Sequence, residues 1–131
     1  MVSDVVVNEW IAKADEDYFF TKKHIQSEDS FFAPLCFHCQ QAAEKYLKAF
    51  LIFREQPLRK THDLVDLIRL CVSVDASFEE LREFAVLINP YYVDTRYPAM
   101  WPVGSSQQEA YTTLEAAGTV REFVLNKLKK L

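Results

Sequence analysis

Apolar residues recur every three or four positions along most of this chain, and this spacing is the feature that most constrains its fold. Between Pro34 and Arg54, one face consists of Leu35, Cys39, Ala42, Tyr46, Ala49, Phe50 and Phe53. A period near 3.6 residues places such side chains on one side of an α-helix. Only 2 of the 131 residues are glycine, which argues against an all-β fold with many tight turns.

The same periodicity predicts helices over about residues 5–26, 34–54, 63–72, 78–89 and 105–130. Thr61 is the expected N-cap of the third helix, and Ser77 with Glu80 has the spacing of a capping box for the fourth. Ser105 with Gln108, or Ser106 with Glu109, has that spacing for the last. Short connections between helices favour an all-α, up-and-down helical bundle of about five helices. We expect one domain over residues 1–131.

Bulk charge and cysteine content narrow the function classes. The net charge is −4, whereas a general duplex-binding protein usually has a basic surplus. Cys36 and Cys39 form a CxxC motif, but both fall on one predicted helix and no second pair accompanies them. We therefore expect buried thiols and no metal or cofactor. Because neither a signal peptide nor a membrane-spanning run is visible, we expect a cytoplasmic protein without a membrane partner.

The second predicted helix carries a polar stripe beside its apolar face, formed by His38, Gln41, Lys45 and Lys48. At 100° per residue these positions fall within about 80° of one another. An imidazole, an amide and two ammonium groups on one face could bind a phosphate or a base. A solvated helix face with a Glu44–Lys48 ion pair would show the same pattern, because that pair has the favourable i, i+4 order.

His62 lies at the predicted start of the third helix, in the sequence Thr61-His62-Asp63. The positive end of the helix dipole disfavours a charged imidazole, and a neutral imidazole can serve as a general base or accept a hydrogen bond. Arg59 and Lys60 precede it, and the backbone N–H groups of a helix start favour anions. A purely structural role for His62, as a hydrogen-bonding partner of a neighbouring helix, is the alternative.

Residues 89–104 read NPYYVDTRYPAMWPVG, a long non-periodic segment rich in proline and aromatic residues. Such segments in compact domains are often functional. Arg96 stands beside Tyr97, and this combination suits phosphate binding and base stacking. Asp17, on the apolar side of the first helix, requires a partner, for which Arg96 or a lysine is the natural candidate.

Three blocks of this sequence resemble a known family. Residues 37–49 read FHCQQAAEKYLKA, residues 61–64 read THDL, and Tyr92 is followed by Arg96-Tyr97-Pro98. In this order and spacing the blocks are similar to those of prokaryotic HEPN domains (higher-eukaryote-and-prokaryote nucleotide-binding domains). The resemblance spans nearly the whole chain.

The resemblance implies a five-helix bundle, usually a homodimer, often paired with a minimal nucleotidyltransferase in a toxin–antitoxin-like module. Many members are metal-independent ribonucleases with an arginine followed, after four to six residues, by a histidine. This chain lacks that motif: Arg59 and His62 are separated by two residues, Arg54 and His62 by seven, and no histidine follows Arg96.

Three functions remain open on these grounds. The first is a HEPN subunit that binds a nucleotide, RNA or the transferase through His38, Gln41, Lys45, Lys48, His62, Arg96 and Tyr97. The second is a metal-independent endoribonuclease in which His62 or His38 acts together with Arg96, with His62 and Arg96 as the candidate catalytic residues. The third is a structural dimerisation module.

Overall fold

A computed structural model describes residues 4–92 and 105–129 of the chain. Within those ranges the structure is all-α, as the sequence predicts, with no β-strand. The five α-helices are α1 (Asp4–His24), α2 (Phe32–Phe53), α3 (Leu64–Val74), α4 (Arg82–Ile88) and α5 (Gln107–Lys129). One 3₁₀ turn, Ala76–Leu81, leads into α4, and another, Asn89–Tyr92, follows it.

Helix α2 is the central element of the bundle. It packs against α1 and α5 along its length and also contacts α3 and α4. Its residues from Leu35 to Leu51 are mostly buried, including polar residues on the side opposite the apolar face. A helix surrounded by neighbours needs partners for its polar side chains inside the protein, since water does not reach them. This requirement explains the polar contacts described below.

Aromatic rings fill the core on the other side of α2. The rings of Phe50 and Phe78 lie 4.2 Å apart, and Phe78 meets Phe123 of α5 edge-on at 4.9 Å. The three cysteines are buried, as predicted. Burial raises the pKa of the Cys39 thiol to about 12, so this group stays protonated at neutral pH. In the part of the chain that is described, no helix combines the length and apolar character needed to cross a bilayer.

Two predicted helix starts are wrong by a few residues. Asp63, not Thr61, is the N-cap of α3, and its carboxylate accepts hydrogen bonds from the backbone N–H groups of Val65 and Asp66. The fourth helix starts at Arg82, later than predicted, and no side chain in the described part of the chain caps it. The residues before it form the 3₁₀ turn Ala76–Leu81, which is capped by Asp75: its carboxylate accepts from both the N–H and the hydroxyl of Ser77. In both places the capping carboxylate accepts from two donors at once.

The start of α5 agrees with one of the two predicted capping boxes. The Ser106 hydroxyl oxygen accepts from the N–H of Glu109 at 3.0 Å, and the Glu109 carboxylate accepts from the N–H of Ser106 at 3.4 Å. Both groups satisfy donors that the helix itself leaves without partners.

Candidate functional site

The polar stripe of α2 divides into two groups, each organised by a buried or half-buried carboxylate. In the first group, Asp17 of α1 binds the His38 Nδ1 at 2.8 Å through one oxygen and the Lys45 Nζ at 2.6 Å through the other. Asp17 therefore finds the partner that the sequence required, and that partner is a lysine together with a histidine.

The electrostatics of Asp17 follow from this arrangement. Burial alone would raise the pKa of its carboxyl group, but the hydrogen bonds from His38 and Lys45 outweigh burial and hold the pKa below its ordinary value. Asp17 is therefore ionised at neutral pH and fixes α1 against α2. The charge of Lys45 is correspondingly neutralised within the chain, which leaves less positive field for a phosphate.

Glu44 organises the second group from the buried side of α2. Its carboxylate lies 3.0 Å from the Lys48 Nζ and 3.0 Å from the His62 Nδ1, and it binds both. The side chains of Glu44 and Lys48 are only 6% and 7% exposed, whereas that of His62 is 45% exposed. The predicted Glu44–Lys48 pair thus exists, but it is buried between elements and not on a solvated helix face.

The two glutamines of the QQAAEK block support the same group. Gln40 donates to the backbone carbonyl of His62 at 3.0 Å and lies 3.4 Å from Glu44. Gln41 donates to the Gln40 side-chain carbonyl at 2.7 Å and so fixes the orientation of that amide. The polar residues of this block therefore hold the backbone and the ring of His62 at once.

The start of α3 is closed to an anion, contrary to the expectation for its N–H groups. The N–H of Leu64 donates to the Asn89 side-chain carbonyl at 2.8 Å, and the next two N–H groups of the helix donate to Asp63. Asn89 also donates to Asp63 at 3.1 Å. Asp63 occupies the position that favours negative charge, so a phosphate bound nearby would need side-chain cations instead.

His62 lines an open pocket beside this helix start. The ring of Tyr92 is stacked on the imidazole, with centroids 4.6 Å apart and planes inclined by 13°. The pocket has a volume of about 510 Å³, within the range of about 300–1,000 Å³ that is typical of small-molecule sites. Val65, Val86 and Pro90 supply its apolar wall, and Thr61, Asp63 and Asn89 supply polar groups.

A larger groove between α1 and α5, of about 630 Å³, contains Tyr18, Gly118 and Phe123 but none of the predicted site residues. The pocket at His62 is smaller, but it brings together the imidazole of His62, the ring of Tyr92 stacked on it and the side-chain amide of Asn89. A few polar groups that converge beside an apolar wall are typical of a binding site, and here one of them is a histidine that the sequence predicts for the site.

Comparison with known proteins agrees with the resemblance. The family model for the HEPN domain matches residues 7–128. The chain belongs to the HEPN domain family. Among solved structures, TT1696 from Thermus thermophilus is similar to it with 28% sequence identity and a TM-score of 0.77, over 92% of this chain and 97% of that one.

Two other solved structures, both of HEPN proteins, show the same fold. The archaeal HEPN homologue ST0689 has 21% identity and a TM-score of 0.74, over 94% of this chain and 98% of its own. A HEPN domain protein from Thermotoga maritima has 22% identity and a TM-score of 0.73, over 94% and 99% respectively. A search of curated proteins found no match.

The structure of this HEPN domain adds residues that sequence reasoning missed. Gln40, Glu44 and Asn89 carry the contacts that hold His62 and the start of α3. The sequence pairs Glu44 with Lys48 through their i, i+4 spacing on one helix. It contains no pattern that connects Glu44 to His62, eighteen residues later. The predicted site residues Arg96 and Tyr97 lie outside the described residues.

Proposed function

We propose that this chain is a HEPN subunit that binds a nucleotide in the pocket beside His62. The observation that supports this most directly is the stacked His62–Tyr92 pair at the mouth of a pocket with an apolar wall. Tyr92 is 40% exposed, and we propose that a base stacks on the exposed part of its ring. Stacking of a base on an aromatic side chain contributes about 1–3 kcal/mol.

The phosphate end of the nucleotide requires cations that are not already ion-paired. Lys45 and Lys48 are each paired with a carboxylate, so we assign them to the framework of the site. Arg59 and Lys60 directly precede Thr61 of the pocket wall and are exposed, and Arg96 follows Tyr92 by four residues in sequence. We propose these three for contacts to phosphate.

Two wider roles rest on family membership. A homodimer and pairing with a minimal nucleotidyltransferase, as in a toxin–antitoxin-like module, are proposed for this chain because it has the HEPN fold and the QQAAEK, THDL and RYP blocks. Endoribonuclease activity has a narrower basis. Among the described residues no arginine is hydrogen-bonded to His62, and the Arg–His spacing of the ribonuclease motif is absent.

The test is isothermal titration of the purified chain with AMP. We expect binding by the wild type and a loss of about tenfold in affinity in each of His62→Ala and Tyr92→Ala, since each removes about 1–1.5 kcal/mol of contact. Arg96→Ala should weaken AMP but leave adenosine unchanged, because it removes a phosphate contact alone.

His24→Ala is the matched control. The His24 ring packs on Phe20 at the end of α1 and does not line the pocket, so its removal should not change AMP affinity. Wild-type protein that fails to bind AMP at millimolar concentration, or His62→Ala protein that binds it normally, would contradict the proposal.

A further inference from the structure

The two nitrogens of the His62 ring have different surroundings. Nδ1 lies 3.0 Å from one oxygen of Glu44 and 3.2 Å from the other, and Glu44 is buried. Because the two nitrogens are on opposite sides of the imidazole, an inward Nδ1 turns Nε2 outward. The exposed fraction of the side chain, 45%, agrees with that orientation. Within the described part of the chain, no hydrogen bond involves Nε2.

A carboxylate fixes the tautomer of a neutral imidazole that it contacts. An ionised carboxylate only accepts hydrogen bonds, so the ring nitrogen facing it must carry the proton. The other nitrogen of a neutral imidazole then has a lone pair and accepts. In His62 the accepting atom is Nε2, on the solvent side.

Glu44 is itself held in place by neighbouring side chains, so it can fix the orientation of the His62 ring. Lys48 donates to one of its oxygens, and Gln40 lies against the other. The Gln40 side-chain carbonyl also accepts a hydrogen bond from the Gln41 amide, and the Gln40 amide donates to the backbone carbonyl of His62. The ammonium group of Lys48 balances the charge of Glu44, so an ionised Glu44 does not require a protonated His62 as its counter-ion.

We infer that Glu44 is a positioning residue that fixes His62 as the Nδ1–H tautomer and makes Nε2 a hydrogen-bond acceptor for the ligand. An acceptor binds a donor group. The ligand atom at His62 is therefore a ribose hydroxyl or an exocyclic amino group of a base, and not a phosphate oxygen. The assignment of the ligand atom rests on the proposed nucleotide binding. The assignment of the His62 tautomer does not depend on it.

Nitrogen-15 NMR of the histidine rings tests the tautomer directly. At about pH 8 an ordinary imidazole is neutral. We expect His62 to show a protonated, pyrrole-type Nδ1 and an unprotonated, pyridine-type Nε2. A pyrrole-type Nε2 in the wild type would overturn the inference.

Paired variants separate the effect of Glu44 from the fold. Glu44→Met with Lys48→Met removes the carboxylate and its counter-ion together, so no buried charge is left alone. In this double variant the Nε2–H tautomer of His62 should appear. Asp17→Asn is the matched control: it removes the carboxylate from His38 and should leave the His62 resonances unchanged.

A milder variant covers the case in which the double variant does not fold. Glu44→Gln keeps the shape but has an amide that both donates and accepts, so a mixture of His62 tautomers is expected. An unchanged Nδ1–H tautomer in the double variant would overturn the role of Glu44. If that variant does not fold, a pyrrole-type Nε2 in the wild type remains the result that overturns it.

Addition of AMP completes the experiment. AMP should shift the Nε2 resonance of His62 in the wild type, and the double variant should bind AMP about tenfold more weakly, as for one lost hydrogen bond. If AMP binds without shifting Nε2, the acceptor role is overturned. If AMP does not bind while the Nδ1–H tautomer is present, the proposed nucleotide site fails and the positioning role of Glu44 stands.

Discussion

At the scale of single residues, the most consequential feature is a buried ion pair that holds an exposed histidine. The Glu44–Lys48 pair is only a few per cent exposed, and charges taken out of water stabilise a fold only when their partners are complete. The Glu44 carboxylate has hydrogen-bond donors from Gln40, Lys48 and His62 around it, and the Lys48 ammonium group is paired with this carboxylate. The pair therefore maintains the position of Glu44 more than it adds net stability.

Removal of one partner should be far worse than removal of both. We expect Lys48→Met to lower the free energy of unfolding by about 3 kcal/mol, because it leaves Glu44 buried with His62 and an amide as its remaining donors. The Glu44→Met, Lys48→Met double variant should lose less than the sum of the single losses. Urea unfolding of the wild type, the two single variants Glu44→Met and Lys48→Met, and the double variant measures these free energies. Strictly additive losses would show that the two side chains do not interact.

At the scale of helices, the packing of α1 on α5 depends on one close approach. A Cβ placed on Gly118 of α5 would lie 2.9 Å from the Tyr18 hydroxyl of α1. The Arg121 guanidinium lies over the rings of Tyr18 and Phe19, at 5.5 and 4.9 Å, and also binds Asp15 at 3.1 Å. Asp15 accepts from the Tyr46 hydroxyl of α2 as well, so these contacts join three helices.

Gly118 offers a test of that approach. Glycine in a helix interior costs about 1 kcal/mol relative to alanine, yet Gly118→Ala should destabilise the protein, because Arg121 and Phe19 confine the Tyr18 ring. Gly118→Ala combined with Tyr18→Phe removes the hydroxyl that the new methyl group meets. We expect the double variant to be more stable than Gly118→Ala alone by about 1 kcal/mol in thermal unfolding, the usual scale of relieved overpacking. Equal stability would show that the hydroxyl is not the obstacle.

At the scale of the whole molecule, an ion pair joins the last helix to the middle of the chain. Lys127 of α5 lies 2.9 Å from Asp75, which caps the turn leading to α4. Hydrogen bonds from Ser77 and then from Lys127 lower the pKa of Asp75 to about 2. This contact fixes the far end of α5, while the aromatic core and the Arg121 contacts fix its middle.

Acid unfolding should report on Asp75. A carboxyl whose pKa is lower in the folded than in the unfolded chain stabilises the fold above its ordinary pKa, near 4, and this stabilisation is lost as the pH falls towards 2. Asp75→Asn should therefore be less stable than wild type at neutral pH, and the difference should shrink between about pH 4 and pH 2. Asp66→Asn, which removes a surface carboxylate paired with Arg69, should show a smaller difference. A stability difference between wild type and Asp75→Asn that stays constant across this pH range would contradict the lowered pKa of Asp75.

Local patterns in the sequence were sufficient for the elements of the fold. The apolar period predicts the five helices, and capping chemistry identifies the start of α5, because both depend on residues a few positions apart. The need of Asp17 for a cationic partner also follows from sequence, since a carboxylate on an apolar face must be compensated. The QQAAEK, THDL and RYP blocks pointed to the family that comparison then confirmed.

The tertiary structure alone decided which polar residues act together. His38 and Gln41 lie three residues apart on one helix face, but one contacts Asp17 of α1 and the other supports Gln40 at His62. Glu44 and His62 are far apart in sequence and meet only because α3 starts against α2. Helical periodicity fixes the direction of a side chain relative to its own helix. Which neighbour stands in that direction depends on how the helices pack, and packing is set by the whole core at once.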